Sequence, residues 1–432
     1  MIIYYFHFCC AGIYYWFRKE NTEHYITEIR ISQLRHLKDI IILLNPEHRQ
    51  NLIITGKNGS GKTSLLIAIC KYLKSINDGQ LMTLVNYYIP QLSEAEKKLE
   101  RSQLETNRFD AAIDYNDKLE QVRKYKYGVD VFFNNNYEDL EILYIKGDFI
   151  TAYFPANRKT TITRGHGVKE VKLGYHYFID ESPGDLLHKY LVHLKTQQAY
   201  ARNEGDIDTV DKIQQWFDRF TEALCILLDD NTVTLKYNYM EYDFQIHVQG
   251  REPFGFDTLS DGYSSVILIV SDLMLRMEQN WLPGNNISTY DKEGIILIDE
   301  IETHLHISLQ KKILPFLIKF FPRIQFIVTT HSPYILNSVS NAKAYDLEKH
   351  MKLENLTVYS SDDLADGYFE TDEYSYELKE KLKRYKYLKE KDGLSDKKRA
   401  ERAMLRSELK NIPQSLSKEA KDEFEEIEGR NL

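Results

Sequence analysis

The 432-residue chain predicts an α/β fold, a mixed sheet with flanking helices, to which helical insertions and a helical C-terminal tail are added. Three observations carry this expectation. Asn51–Thr55 (NLIIT), 293–300 (EGIILIDE) and 325–330 (QFIVTT) are short apolar runs, the pattern of parallel strands covered on both faces. Helix-forming stretches follow the first run and separate the second from the third. Each run also ends in residues suited to phosphate chemistry.

Composition bounds the rest. Hydrophobic residues make up 43% and charged residues 28%, and the net charge is −9, which excludes a cationic binder of nucleic acid over its whole surface but leaves a local patch open. Four cysteines, two of them the adjacent Cys9 and Cys10, are too few and too scattered for a secreted disulfide framework, and imply a reducing, cytoplasmic setting.

Residues 1–24 form an apolar N-terminal extension. Its run 2–17 (IIYYFHFCCAGIYYWF) is shorter than the roughly 20 apolar residues of a spanning helix and lacks the basic start and cleavage site of a signal peptide, which argues against membrane contact. A surface anchor, a partner-binding or buried segment, and translated sequence upstream of the true start all remain open. The stretch 25–44 has the β-branched, partly alternating character of a first strand or hairpin, so the folded head is expected over 25–341.

After the run Asn51–Thr55 comes Gly56-Lys57-Asn58-Gly59-Ser60-Gly61-Lys62-Thr63, then a helical stretch beginning at Ser64. This is a phosphate loop in its required strand-to-helix context. Its backbone N–H groups and the helix N-terminus suit phosphate oxygens, Lys62 would reach the β- and γ-phosphates, and the Thr63 hydroxyl would ligate Mg²⁺. Next, 90–127 reads as a helical hairpin with a capping-box signal at Ser93 and Glu96, and 186–228 as two helices broken near Gly205. Strands are expected near 232–239 and 243–248. Leu259-Ser260-Asp261-Gly262 then opens an apolar helix.

The run 293–300 ends in Asp299, placed to hold Mg²⁺, and Glu300, placed to orient and deprotonate a water. One helix and one strand fit between Asp299 and His331, which would bring the imidazole to the same sheet edge. A competing assignment makes His304, His306 and His331 a zinc site, although no cysteine accompanies them. From residue 342 onward the tail reads as mainly helical, with helices over 374–390, 395–410 and 417–428.

The ordered set of phosphate loop, LSDG, Asp-Glu and later His resembles ABC-type ATPases. The loop GKNGSGKTS and the run IDEIETHLH place the likeness in their SMC/RecF/OLD branch rather than among transporters. The resemblance implies an ABC-ATPase head that binds ATP and Mg²⁺ on Gly56, Asn58, Gly59, Ser60, Gly61, Lys62, Thr63 and Ser64. It implies Thr63 and Asp299 at the metal, Glu300 as base and His331 at the γ-phosphate. It further implies a homodimer, or a higher oligomer built from it, in which Ser260 and Gly262 of one chain close over the ATP of the other, with residues 302–306 at the interface.

One element departs from the family. The loop between lobes normally carries a Gln; here 153–158 (YFPANR) has none, leaving Asn157, Arg158 or neither as its substitute. The interval between Arg158 and Leu259 is too short for an SMC coiled coil. No strand-borne Glu followed by Asp-x-Asp comes after His331, and Asp362-Asp363 is a poor substitute, so no nuclease of OLD type is expected. The insertions, the YFPANR segment and the tail resemble the ATPases of bacterial anti-phage systems such as Septu, PARIS and retron-linked cassettes. That likeness implies a separately encoded, nuclease-like effector; the alternative is a RecF-like DNA-repair ATPase. Basic stretches at 158–172 and 376–410 keep nucleic acid open as a partner, with a solvated surface as the plainer reading.

Overall fold

The computed structural model describes residues 23–102, 105–135, 137–158, 167–278, 292–353, 356, 376–391, 393–410 and 418–429. The N-terminal extension up to residue 22, most of the basic stretch after Arg158, and Asp362-Asp363 lie outside the described residues. The chain divides into two compact units, Met1–Thr357 and Val358–Leu432.

The first unit is built on a six-stranded sheet. Its strands, in chain order, are β3 (Asn51–Thr55), β5 (Phe149–Phe154), β8 (Glu293–Ile298), β9 (Ile324–Thr329), β10 (Ala342–Asp346) and β11 (Met351–Leu353). In space they run β11-β10-β3-β9-β8-β5, all parallel except the edge strand β11. β3, β8 and β9 are buried at every residue, the reason their sequences show no alternation. A smaller antiparallel sheet, β2-β1-β4, consists of β1 (Ile26–Leu34), β2 (Leu37–Leu43) and β4 (Val129–Phe133). Here alternation is clear: Ile29 and Ile31 of β1 point into the core that the two sheets share with α1 (Lys62–Asn77), which contributes Leu65, Leu66, Ile69, Leu73 and Ile76.

Around this core sit the helical elements. α2 (Ile89–Arg101) and α3 (Glu105–Lys126) form a hairpin, fastened by Tyr88 stacked on Tyr125 with ring centroids 5.1 Å apart. The start of this hairpin differs from the sequence reading. Helical structure begins at Leu81–Thr83 and passes through a π-turn, Leu84–Tyr88, into α2, so Ser93 lies inside a helix rather than capping one. The buried Leu81 and Leu84 carry the helix back beyond the local capping signal.

α4 (Tyr137–Lys146) leads into β5. α5 (Leu187–Glu204) and α6 (Ile207–Leu228) are separated by Gly205 in a left-handed conformation, and the Asp206 carboxylate accepts from the Thr209 backbone N–H as an N-cap. At 22 residues α6 reaches about 33 Å. β6 (Thr234–Asn238) and β7 (Asp243–His247) form an antiparallel hairpin. α7 (Asp261–Met277) follows the LSDG segment, and α8 (Ile307–Phe320) connects β8 to β9 with Pro315 inside it.

Residues 342–353, which precede the helices expected in the tail, supply β10 and β11, and β10 pairs in parallel with β3. The run AKAYD holds no β-branched residue, so its local propensity is weak; pairing with a fully buried strand decides its state. The first unit thus runs through these strands to Thr357.

The second unit comprises α9 (Tyr376–Glu390), α10 (Asp396–Lys410) and α11 (Lys418–Glu428), packed around Leu382, Tyr385, Leu388, Leu405, Leu409 and Phe424. The Tyr385 hydroxyl donates to Glu428 at 2.5 Å, and with Arg406 it draws the Glu428 carboxyl down to about 2. Among the described residues, no helix is long and apolar enough to cross a membrane.

Candidate active site

Because β3, β9 and β8 are adjacent and parallel, their C-terminal ends emerge at one edge of the sheet. The register aligns Thr329 with Ile54, and Ile298 with Val328, so the residues following β3, β8 and β9 leave side by side.

The phosphate loop occupies this edge. Gly61 has φ +98°, a left-handed conformation that favours glycine, and a Cβ on it would lie 2.9 Å from Leu37 Cδ1 at the start of β2. The buried Lys62 ammonium donates to Gly56 O at 2.8 Å and Lys57 O at 3.1 Å. Burial lowers its pKa, against the pull of Glu300, Glu302, Asp299 and Asp346. Ser60 Oγ is buried without a hydrogen-bond partner. Asn58, Gly59 and Thr63 are exposed, and Ser64 is half-buried in the first turn of α1. Two contacts brace the loop from outside: His36 Nε2 lies 3.2 Å from Ser60 O, and the Glu348 carboxylate accepts from Lys57 N at 3.2 Å.

Asp299 is buried, and its Oδ1 accepts from the Thr329 hydroxyl at 2.6 Å. The same hydroxyl oxygen accepts from Glu300 N at 2.7 Å. Glu300 has φ +44°, a left-handed conformation that costs a side-chain-bearing residue roughly 1–2 kcal/mol and persists only where the surroundings impose it. Arg158 imposes it from the other side, with Nη1 donating to Asp299 O at 2.7 Å and Nη2 to Glu300 O at 3.1 Å.

His331 is half-buried near Lys62, Glu300 and Asp299; burial and the Lys62 charge lower its pKa, which favours the neutral imidazole. Its backbone N–H donates to Glu302. Burial raises the Glu302 carboxyl, whose Oε2 is buried without a partner. Glu302 therefore turns inward, behind His331, whereas His304 and His306 of the same loop are exposed.

Ser260 and Gly262 stand at the start of α7. Ser260 is exposed at the N-cap of α7 and makes no side-chain cap bond. Gly262 packs against the loop after Glu300; a Cβ on it would stand 2.4 Å from His304 O.

The arrangement suits a Mg²⁺–nucleotide complex. Thr63 offers an exposed hydroxyl, Asp299 retains Oδ2, and a Mg²⁺ site built on substrate phosphates needs only one or two such protein ligands. A zinc site does not fit. Among the described residues, no three His, Cys, Asp or Glu side chains converge on a metal position; the His306 ring instead caps α8 by accepting from Ser308 N.

Sequence reasoning overlooked Thr329, which ties Asp299 to Glu300, and the inward turn of Glu302. It also left Arg158 without a role. The Thr-Thr pair ending β9 and an arginine directly after β5 were the available signals.

Comparison with known proteins gives partial matches. The family described as "AAA domain, putative AbiEii toxin, Type IV TA system" matches residues 173–337, a segment holding Ser260, Asp299, Glu300 and His331 but not the phosphate loop. The chain is 38% identical over 96 residues to "Retron Ec83 probable ATPase" of Escherichia coli, covering 22% of this chain and 17% of that protein. It is 28% identical over 193 residues to "Septu protein PtuA" of Bacillus thuringiensis, covering 43% and 47%. The chain thus spans less than half the length of these curated relatives. Among solved structures, an SMC head bound to the C-winged helix domain of ScpA is similar at a TM-score of 0.40 and 13% identity, over 78% of this chain and 100% of that one. The likeness to Septu and retron ATPases rests on the sequence matches.

Proposed function

We propose that the chain binds and hydrolyses ATP with Mg²⁺ as a nucleotide-gated homodimer. In the cell it would be the ATPase subunit of an anti-phage defence system, sensing infection and controlling a separately encoded, nuclease-like effector. The observation that carries the chemical part is the convergence of Lys62, Asp299, Glu300 and His331 on one edge of the parallel sheet. The similarity to Septu and retron ATPases supports the cellular part.

In this reading the loop N–H groups and the N-terminus of α1 receive the phosphates. Lys62 exchanges the carbonyls of Gly56 and Lys57 for β- and γ-phosphate oxygens. Thr63 and Asp299 would hold Mg²⁺, which when bound neutralises charge on the phosphates. Glu300 accepts the proton of the attacking water, and its fixed backbone sets where that carboxylate points. His331, neutral, holds the γ-phosphate or the water by a hydrogen bond. Ser260 and Gly262 of a second chain supply donors to the γ-phosphate, so turnover requires two chains.

The test combines phosphate release by the purified chain with a pull-down of its neighbouring gene products in ATP or ADP. Mg²⁺-dependent turnover, and an effector retained in one nucleotide state, is the expected result. No turnover overturns the ATPase reading; a bare dimer that takes up DNA only with ATP moves the assignment to DNA repair.

A further inference from the structure

We infer that Arg158 is a positioning residue that couples the loop holding Asp299 and Glu300 to the helix opened by the Ser260–Gly262 segment; this rests on the nucleotide-site reading above. The Arg158 side chain is buried, 8% exposed, and its N–H groups are directed at three separate elements. Nη1 donates to Asp299 O at 2.7 Å and Pro155 O at 3.0 Å, Nη2 to Glu300 O at 3.1 Å, and Nε to Ser265 Oγ at 2.8 Å. These acceptors are carbonyl and hydroxyl oxygens, so the bonds themselves fix geometry, while the guanidinium charge also attracts the nearby Asp299, Glu302 and Glu300 carboxylates. A planar fork with donors at fixed angles meets these four acceptors at once, which a lysine ammonium on a flexible stem does not.

The positions of the acceptors give the bonds their meaning. Asp299 O and Glu300 O flank the residue held at φ +44°, so the guanidinium fixes the peptide that aims the Glu300 carboxylate. Ser265, 3% exposed, stands three residues after Gly262, on the same face of α7. The far end of α7 is anchored separately: Arg276 binds Asp272 at 2.6 Å, Thr151 O at 3.0 Å and Phe178 O at 3.1 Å. Thr151 lies in β5 and Arg158 follows that strand, so α7 is tied at both ends to one stretch of chain. A nucleotide that shifts the Asp299–Glu300 loop therefore shifts the start of α7 through a rigid link. The exposed Ser260 there is the group that meets the ATP of the second chain.

The experiment compares the full-length wild type with Arg158→Lys and Ser265→Ala. Ser265→Ala removes one acceptor and leaves the fold's charges in place, so it remains informative if Arg158→Lys unfolds. The expected result is a kcat lowered about tenfold with ATP affinity and KM within about threefold, the size of one lost charge-assisted hydrogen bond. In a Glu300→Gln background, Ser265→Ala should also weaken ATP-dependent dimerisation about tenfold. A purely structural role would instead lower the melting temperature and leave both readouts unchanged. If the wild type turns over and dimerises while Ser265→Ala does the same, this inference alone is overturned. If the wild type does neither, the functional reading falls and takes this inference with it.

Discussion

Two regions of the first unit hold the groups read as nucleotide-handling, and they differ in how far one chain completes them. At the ends of β3, β8 and β9 the polar groups are tied down within the chain: Lys62 on two loop carbonyls, Asp299 on Thr329, the Glu300 backbone on Thr329 and Arg158, His331 on Glu302. At the start of α7 the opposite holds. Ser260 and Asp261 are exposed, and the Ser260 hydroxyl does not cap its own helix. A helix N-terminus that its own N-cap hydroxyl leaves uncapped is half of an anion site. Under the proposed function, the first region needs only substrate, whereas the second needs substrate presented by another chain.

Substitutions can break that contrast. The largest effect is expected from Glu300→Gln, which keeps the shape of the side chain and removes its basicity. Turnover should fall about 10²- to 10⁴-fold, ATP binding should persist, and closed dimer should accumulate in mass measurements. Unchanged hydrolysis would show that the proton acceptor lies elsewhere. Lys62→Ala acts earlier, at binding. It removes the ammonium for the β- and γ-phosphates, and titration with a fluorescent nucleotide should show affinity weakened by roughly 10- to 100-fold. Both variants strike the completed region, but only the binding loss of Lys62→Ala should be visible in a dilute monomer; the Glu300→Gln effect is read on the dimer.

Gly262→Ala strikes the other region. Its Cβ would meet His304 O at 2.4 Å, a backbone atom that moves only with its loop, at a cost of about 1–3 kcal/mol. ATP binding to the monomer should survive, while dimerisation and turnover drop together by roughly tenfold or more. Equal loss of monomer binding would mean that the two regions are not separable.

The contrast also marks what the sequence made legible. β3, β8 and β9 were readable because buried parallel strands are continuous apolar runs, and the α5–α6 break because Gly205 is a backbone signal. Both are local. Arg158 was not readable, since its partners Ser265, Asp299 and Glu300 stand more than a hundred residues away in sequence and three of its four acceptors are carbonyls, which leave no trace in residue identity. β10 was missed because its strand state comes from pairing with β3 and not from AKAYD itself. Glu302 was assigned with its exposed neighbours His304 and His306, although the turn after β8 directs it inward.

The smallest effect is the most discriminating. An N-cap serine replaced by alanine ordinarily costs a helix about 1 kcal/mol, because its oxygen satisfies a backbone N–H of the first turn. Ser260 makes no such bond, so Ser260→Ala should leave the folding stability of the chain unchanged within about 0.5 kcal/mol, the range of a neutral surface substitution. Its cost should appear only when a second chain presents ATP, as turnover reduced by about tenfold at unchanged monomer affinity, the size of one hydrogen bond to a phosphate. A hydroxyl that is silent in stability and audible in turnover belongs to an interface the single chain does not contain. A stability loss of a full kilocalorie would show instead that Ser260 serves its own helix, and the two regions would no longer differ in kind.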